Sequence, residues 1–136
     1  MTLIVCIDRD RGMTFFGKRQ SADRVLYERI LDAAHGRRLL MDRYSAFQFG
    51  ERAKDICVVD DPAREAKDDD VVFVEDTATA GCAENKDTLI IYRWNKKYPH
   101  DTEFDIFPFD EGMRLECMTD LAGSSHERIT EEIWVR

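Results

Sequence analysis

The chain has 136 residues, 43% of them hydrophobic, which excludes a disordered chain and leaves room for one domain with a buried core. Its formal net charge of −8 excludes a uniformly basic surface of the kind that binds nucleic acid. No apolar run has the length of a membrane-spanning helix, and the opening apolar run is too short for a secretion signal, so we expect a cytoplasmic protein.

Strands and helices alternate in the first half of the chain. A continuous apolar run predicts a buried strand over residues 3–7. An amphipathic pattern over residues 21–35 predicts a helix, with Ser21 as its N-terminal cap and Gly36 just beyond its end. Apolar runs at residues 39–41 and 56–59 predict two further strands, with a short, partly buried helix between them.

The second half is predicted to contain strands with little helix between them. Residues 60–70 are the most acidic stretch and predict an exposed, mobile connector. Further strands are predicted over the ranges 71–74, 88–92, 115–118 and 129–135. This order indicates a single α/β domain, residues 1–136, whose sheet ends in an antiparallel ribbon.

The cysteines and histidines do not predict a metal site. Four cysteines occur without a Cys-x-x-Cys pair, which favours buried core thiols in a reducing compartment: Cys6, Cys57, Cys82 and Cys117. The three histidines are not paired at the spacing of metal ligands. His126 follows Ser124 and Ser125, but successive side chains on a strand face opposite ways, so a turn is favoured over a serine–histidine relay.

Several segments, in chain order, resemble dihydrofolate reductase. Leu3-Ile-Val-Cys-Ile-Asp8 is similar to its first strand, Met41-Asp-Arg-Tyr-Ser45 to its phosphate-binding turn, and Asp101-Thr-Glu-Phe104 to its Asp-Thr-x-Phe segment. The resemblance implies a reduced dihydrofolate-reductase-like α/β fold with a mixed, largely parallel sheet and helices on both faces. The chain is shorter between residues 59 and 71, where we expect one edge of the sheet to be trimmed.

The positions that would bind a cofactor depart from that family. Asp42 replaces the glycine of the phosphate-binding turn, and Glu75 and Asp76 replace a Gly-Gly pair. Glycine lets backbone N–H groups approach a pyrophosphate, whereas two like charges a few ångströms apart repel by roughly 1 kcal/mol in water and by more when partly buried. We therefore expect no cofactor, and NADPH only if the protein is an active reductase.

Two groups of candidate site residues follow from the resemblance. Asp23 falls where the family has its catalytic carboxylate, and an apolar cleft could raise its pKa enough for proton donation, although it could equally be a plain N-terminal helix charge. A ligand site is predicted around the helix start, the phosphate-binding turn and the strand predicted at 88–92, with these members: Arg19, Gln20, Ser21, Arg43, Ser45 and Tyr92.

These features lead to three functional hypotheses. The first is a non-catalytic pseudoenzyme that binds a small ligand or a protein partner at the former substrate cleft. The second is an NAD(P)H-dependent reductase of a pteridine-like substrate with an altered cofactor mode. The third and weakest is ribonuclease-type RNA processing, which would have to work without a histidine–zinc site in an acidic chain. The partner and the oligomeric state remain open.

Overall fold

The computed structural model describes residues 1–81 and 83–136, in which a seven-stranded sheet and a two-stranded hairpin carry all named strands. The strands are β1 (Thr2–Ile7), β2 (Thr14–Phe15), β3 (Lys18–Arg19), β4 (Leu39–Met41), β5 (Cys57–Val58), β6 (Val71–Phe73), β7 (Thr88–Arg93), β8 (Arg114–Leu121) and β9 (Ile129–Val135). The helices are α1 (Arg24–Ala33), α2 (Arg43–Phe47), a 3₁₀ helix (Gly50–Asp55), α3 (Pro62–Glu65) and α4 (Thr77–Ala80).

The large sheet has the strand order β5-β4-β6-β1-β7-β9-β8. Strands β5, β4, β6, β1 and β7 are mutually parallel. Strand β9 pairs antiparallel with β7, and β8 pairs antiparallel with β9, so that the last two strands form a closing ribbon. This confirms the predicted mixed, largely parallel sheet. Because the parallel strands end at the same edge, the residues that follow β1, β4 and β6 come together there.

Helices lie on both faces of the sheet, as predicted. On one face, Leu26 and Ile30 of α1 pack in a buried cluster with Ile4 and Phe73 of the sheet. On the other face, Ala63 of α3 belongs to a second cluster, which contains the sheet residues Leu3, Val5 and Val72. Both faces of the central strands are therefore buried, which explains why their sequences are continuous apolar runs.

The start of α1 differs from the prediction that Ser21 caps it. Asp23 is the N-terminal cap, and its side chain accepts hydrogen bonds from the backbone N–H groups of Val25 and Leu26. Serine and aspartate are equally good capping residues, so the local sequence does not choose between them. The chain is still extended at Asp23, with φ −154° and ψ 131°, and so Ser21 lies before the helix.

Residues 60–70 are more ordered than an exposed connector. Helix α3 forms within them, with Pro62 and Ala63 buried against the sheet. The carboxylate of Asp70 is also buried and accepts two hydrogen bonds from Arg38. Residues 59–70 add no strand to the sheet, which ends here at the two-residue strand β5.

The opposite edge of the sheet is β8, an eight-residue strand whose side chains are mostly exposed. Cys117 lies on this strand and is exposed, so the prediction of a buried thiol is wrong for it, because β8 pairs only with β9 and forms the edge of the sheet. Cys6 and Cys57 are half-buried, and Cys82 lies outside the described residues. No helix of the described chain is long and apolar enough to cross a membrane.

Candidate functional site

The candidate site lies where β1 and β6 end, beside the segment that leads into α1. A cavity at this point is lined by Cys6, Met13, Arg19, Gln20, Ser21, Glu75 and Trp94, and its volume is about 10 Å³. That is space for about one water molecule and not for an organic ligand. The cleft above the sheet is therefore filled by the protein's own side chains.

Glu75, the residue two positions after β6, lies at the centre of these side chains and accepts hydrogen bonds from three of them. Its carboxylate accepts hydrogen bonds from Arg19 Nε at 3.0 Å and Arg19 Nη2 at 3.2 Å. The hydroxyl of Ser45 donates to Glu75 Oε1 at 2.7 Å, and Gln48 Nε2 donates to the same oxygen at 3.1 Å. Arg19 and Ser45, both predicted to bind a ligand, are thus brought together, but around a carboxylate of the chain itself.

Arg19 and Glu75 form an ion pair with no net charge, so this cluster is not the negative patch that was predicted to repel phosphate. Burial lowers the pKa of Arg19, but the hydrogen bonds and charge of Glu75 outweigh this, and the net pKa is raised. The Arg19 guanidinium also lies 4.2 Å from the centre of the Tyr44 ring. The predicted repulsion of phosphate by Glu75 is therefore offset by Arg19. The same pairing means that the donors suited to a phosphate already have an acceptor.

The other predicted phosphate positions lie around the short helix α2. Asp42 is its N-terminal cap, and Asp42 Oδ1 accepts the Ser45 N–H at 2.8 Å. Arg43 opens the helix with an exposed side chain and is not among the residues that contact Glu75. Asp76 directly follows Glu75 and is half-buried. A carboxylate of the chain itself therefore caps the helix at which a phosphate contact was predicted.

Asp23 is buried, and its carboxylate is surrounded by donors. Besides its two helix N–H groups, it accepts the backbone N–H of Ser124 at 3.0 Å and of Ser125 at 2.9 Å, and it lies 2.9 Å from His126 Nδ1. Burial raises the pKa of Asp23, but the Ser125 N–H, His126 and the other donors outweigh it and hold the pKa far below its usual range. The predicted rise in pKa is wrong, and Asp23 stays ionised.

Tyr92 does not lie with the other predicted ligand-binding residues. It is 1% exposed within the core beneath α1, and its hydroxyl donates to Glu131 at 2.9 Å. Strand β7 is buried on both faces, so its sequence does not reveal which face of the sheet each residue occupies. The prediction that Tyr92 lines the pocket mouth is wrong.

Gln48 and Tyr98 contribute to the site and were missed by the sequence reasoning, whereas His126 was considered only with its neighbours Ser124 and Ser125. His126 drew attention because two serines precede it, yet its Nε2 atom lies 2.8 Å from Ser21 Oγ, a residue 105 positions away. The Tyr98 hydroxyl lies 3.2 Å from the same nitrogen. The loop between β8 and β9 makes this contact by folding over the start of α1, and no local pattern encodes that approach.

A larger groove adjoins the closed cavity, beside the β2–β3 hairpin. Its volume is about 290 Å³, and it is lined by Phe15, Phe16, Lys18, Arg19, Gln20, Tyr98 and Pro99. Phe16 is 79% exposed and occupies the left-handed region with φ +50°, next to Gly17 with φ +73°. A two-residue hairpin turn of type I′ has positive φ at both central positions, and a phenylalanine there is strained and exposes an apolar ring.

Gln20 belongs to both the groove and the closed cavity. Its Nε2 atom donates to Asp8 Oδ2 at 2.9 Å. Its Oε1 atom is buried and has no hydrogen-bond partner among the described residues. An unpaired buried acceptor costs free energy, so a ligand N–H or O–H group placed here would gain from it. No cluster of three or more His, Cys, Asp or Glu side chains suited to a metal occurs in the described part of the chain.

Comparison with solved structures shows that this chain has a dihydrofolate-reductase-like fold. One solved structure with this fold is dihydrofolate reductase from Enterococcus faecalis complexed with NADP(H) and RAB-propyl. It matches with a TM-score of 0.71 over 99% of this chain and 95% of the other, at 11% identity. No protein-family model matches the chain, and no curated protein matches its sequence. The similarity confirms the fold that the segments of the sequence resemble.

Proposed function

We propose that this chain is a dihydrofolate-reductase-like pseudoenzyme that performs no nicotinamide-dependent reduction and binds a small ligand in the groove beside its β2–β3 hairpin. The observation that carries this proposal is the set of hydrogen bonds from Arg19, Ser45 and Gln48 to Glu75. Those donors would suit a phosphate, and a carboxylate of the chain has taken the place of one.

The closed cleft supports the loss of the cofactor on steric grounds as well. A nicotinamide dinucleotide would have to displace Glu75 from four hydrogen bonds and open a cavity of about 10 Å³. Displacement would leave a buried carboxylate without its cation, which is costly. The residues present therefore do not fit the cofactor. Asp23 is also unsuited to donate a proton, because its carboxylate is ionised and accepts hydrogen bonds from the groups around it.

The groove indicates the chemistry of the ligand. The two aromatic rings of Phe15 and Phe16, whose centres lie 4.2 Å apart, offer an apolar surface, and Lys18 contributes a positive charge at the same groove. Gln20 Oε1 offers an unpaired acceptor. An aromatic or aliphatic compound with an acidic group and one N–H or O–H donor matches all three features.

The loss of the cofactor site is tested by titrating the protein with NADPH while following fluorescence and thermal stability. We expect no saturable binding up to about millimolar, which corresponds to a binding free energy weaker than about −4 kcal/mol. The dihydrofolate reductase from Enterococcus faecalis serves as the positive control. Saturable binding by this chain in the micromolar range would overturn the proposal and favour the reductase alternative.

The groove is tested with the probe 8-anilino-1-naphthalenesulfonate, an aromatic anion. We expect saturable fluorescence enhancement with the unaltered chain and its loss in Phe16→Ser. Phe47→Ser is the matched control, since Phe47 is 87% exposed but does not line the groove. Equal binding by both variants would show that the probe binds exposed aromatic rings in general. The proposal of a ligand site in the groove would then be rejected.

A further inference from the structure

His126 connects two residues of the segment that leads into α1. Its Nε2 atom lies 2.8 Å from Ser21 Oγ, and its Nδ1 atom lies 2.9 Å from Asp23 Oδ2. A hydroxyl, an imidazole and a buried carboxylate in this order are the parts of a serine nucleophile activated by a base that a third group orients. We propose that Ser21, His126 and Asp23 form such a relay and that Ser21 accepts acyl groups from small esters.

The contacts of Asp23 define which nitrogen of His126 can act as the base. An ionised carboxylate only accepts hydrogen bonds, so the neutral ring must carry its proton on Nδ1 and donate it to Asp23. The lone pair then lies on Nε2, which faces the Ser21 hydroxyl. The Trp94 ring stacks on the imidazole at 4.7 Å between centres and 28° between planes, which fixes the orientation of the ring.

Asp23 is held rigidly enough to serve as the orienting group. Its side chain is fully buried, and the N–H groups of Ser124 and Ser125 and the first turn of α1 fix both of its oxygens. Ser125 Oγ also approaches the imidazole, at 3.2 Å, but it approaches Nδ1, the nitrogen that donates to Asp23. Ser125 is therefore not positioned for activation, and Ser21 is.

Tyr98 links the relay to the groove. Its hydroxyl lies 3.5 Å from Ser21 Oγ, while its side chain lines the groove together with Phe15 and Phe16. The same hydroxyl lies 3.2 Å from His126 Nε2, so Tyr98 and Ser21 both approach the nitrogen that acts as the base. Ser21 lines the adjoining closed cavity, and Arg19 and Gln20 line both the cavity and the groove, so a small ester whose apolar part lies in the groove reaches Ser21 when these two side chains move aside. This choice of substrate rests on the proposed function of the groove, whereas the relay itself does not.

The reaction consumes one ester and one water and involves no redox change. Ser21 Oγ forms a bond to the ester carbonyl carbon as its proton passes to His126 Nε2. The bond from that carbon to the alcohol oxygen then breaks, and the alcohol leaves with the proton. Water next attacks the acyl group on Ser21 and gives a proton to His126, the carboxylic acid leaves, and Ser21 Oγ recovers the proton.

The test is covalent modification of the intact protein by p-nitrophenyl acetate and by a fluorophosphonate, with peptide mapping by mass spectrometry. Attack on the fluorophosphonate forms an oxygen–phosphorus bond and releases fluoride. We expect one adduct on Ser21, none in Ser21→Ala, and a rate lowered about 100-fold or more in His126→Gln. Ser125→Ala retains the adduct on Ser21, and Ser21→Cys retains acetylation by p-nitrophenyl acetate.

The relay is overturned if no adduct forms on Ser21 while circular dichroism and the urea midpoint show folded protein. It is equally overturned if the adduct lies on another residue, or if His126→Gln reacts as fast as the unaltered chain. Binding of 8-anilino-1-naphthalenesulfonate and of NADPH is measured in parallel. Intact groove binding without an adduct rejects the relay alone, whereas an adduct together with micromolar NADPH binding rejects the proposed function alone.

Discussion

Tyr92 on β7 and Glu131 on β9 lie directly opposite each other in the antiparallel register, and their side chains form a buried hydrogen bond of 2.9 Å. Arg29 of α1 completes the arrangement with two hydrogen bonds to the same carboxylate, at 3.0 and 2.8 Å. Burial raises the pKa of Glu131, but Arg29 and Tyr92 outweigh it and lower the pKa. These hydrogen bonds anchor α1 to the antiparallel ribbon, and the role of Tyr92 in them is structural.

The substitution Tyr92→Phe should therefore reduce stability without affecting binding in the groove. The hydroxyl bond to Glu131 is lost while Arg29 still pairs with the carboxylate, so we expect a cost of about 1 kcal/mol. Urea denaturation measures the cost, and titration with 8-anilino-1-naphthalenesulfonate measures binding. A weaker probe affinity at unchanged stability would contradict this and show that Tyr92 contributes to ligand binding.

Removal of Glu75 should convert the closed cluster into an anion site. In Glu75→Ala the donors Arg19, Ser45 and Gln48 lose their acceptor, and we expect a stability loss of about 2 kcal/mol. Millimolar inorganic phosphate should bind and restore part of this loss, by mass action on the folded state. Thermal unfolding with and without phosphate measures both effects.

The matched control for that experiment is Asp70→Ala, which frees one arginine, Arg38, outside the Glu75 cluster. We expect phosphate to stabilise the Glu75 variant specifically. Equal stabilisation of both variants would mean that any arginine without its carboxylate partner binds phosphate. The cluster around Glu75 would then not be a specific anion site.

The substitution Phe16→Asn should raise stability and lower binding at the same time. Asparagine tolerates the left-handed backbone at φ +50° better than phenylalanine does, so we expect a gain of about 1 kcal/mol. The groove loses an aromatic wall, so probe affinity should fall. Thermal unfolding and probe titration on the same sample measure the two effects. A loss of stability would show that the Phe16 ring contributes packing that outweighs its backbone strain.

The acid sensitivity of the protein should depend on Asp23. Its pKa is lower in the folded chain than the ordinary value of 3.8, so its contribution to stability is present above about pH 4 and is lost as the pH falls below that value. Asp23→Asn removes this contribution. We expect the variant to be less stable at pH 7 but to lose less further stability between about pH 4 and 2.

Urea midpoints at pH 7, 5, 4, 3 and 2 give the two pH profiles for that comparison. Asp69→Asn, at an exposed position, is the control and should follow the unaltered chain. Parallel profiles for Asp23→Asn and the unaltered chain would show that the donors around this carboxylate do not favour its ionised form.

The elements of the sheet could be predicted where burial on both faces leaves an uninterrupted apolar run. Strand β4 was predicted with the bounds that the structure has, because its apolar run ends at polar residues on both sides. The bounds of β9 were also predicted correctly, from a partly alternating pattern. Helix α3 was missed because its four residues, Pro62–Glu65, lie in an acidic stretch and only Pro62 and Ala63 are buried. A short helix held by two buried residues carries too little periodicity to be recognised.

The site was harder to predict, because its contacts join residues that are far apart in the chain. Arg19 and Ser45 were chosen as anion-binding residues, and the structure shows them binding an anion, but that anion is Glu75. Glu75 was considered only as a source of repulsion, since a sequence does not show which charges are paired. His126 and Ser21 are 105 positions apart, and only the folding of the β8–β9 loop over α1 joins them.

Glu75 can be regarded as a ligand that is permanently tethered to its receptor. A group linked by even a short flexible chain competes at an effective concentration on the order of millimolar, and Glu75, fixed close to the end of β6, has less freedom to leave than such a linker allows. Free phosphates at similar concentrations therefore compete poorly for Arg19, Ser45 and Gln48. The occupancy of this pocket is set by the covalent structure of the chain and is insulated from changes in metabolite levels.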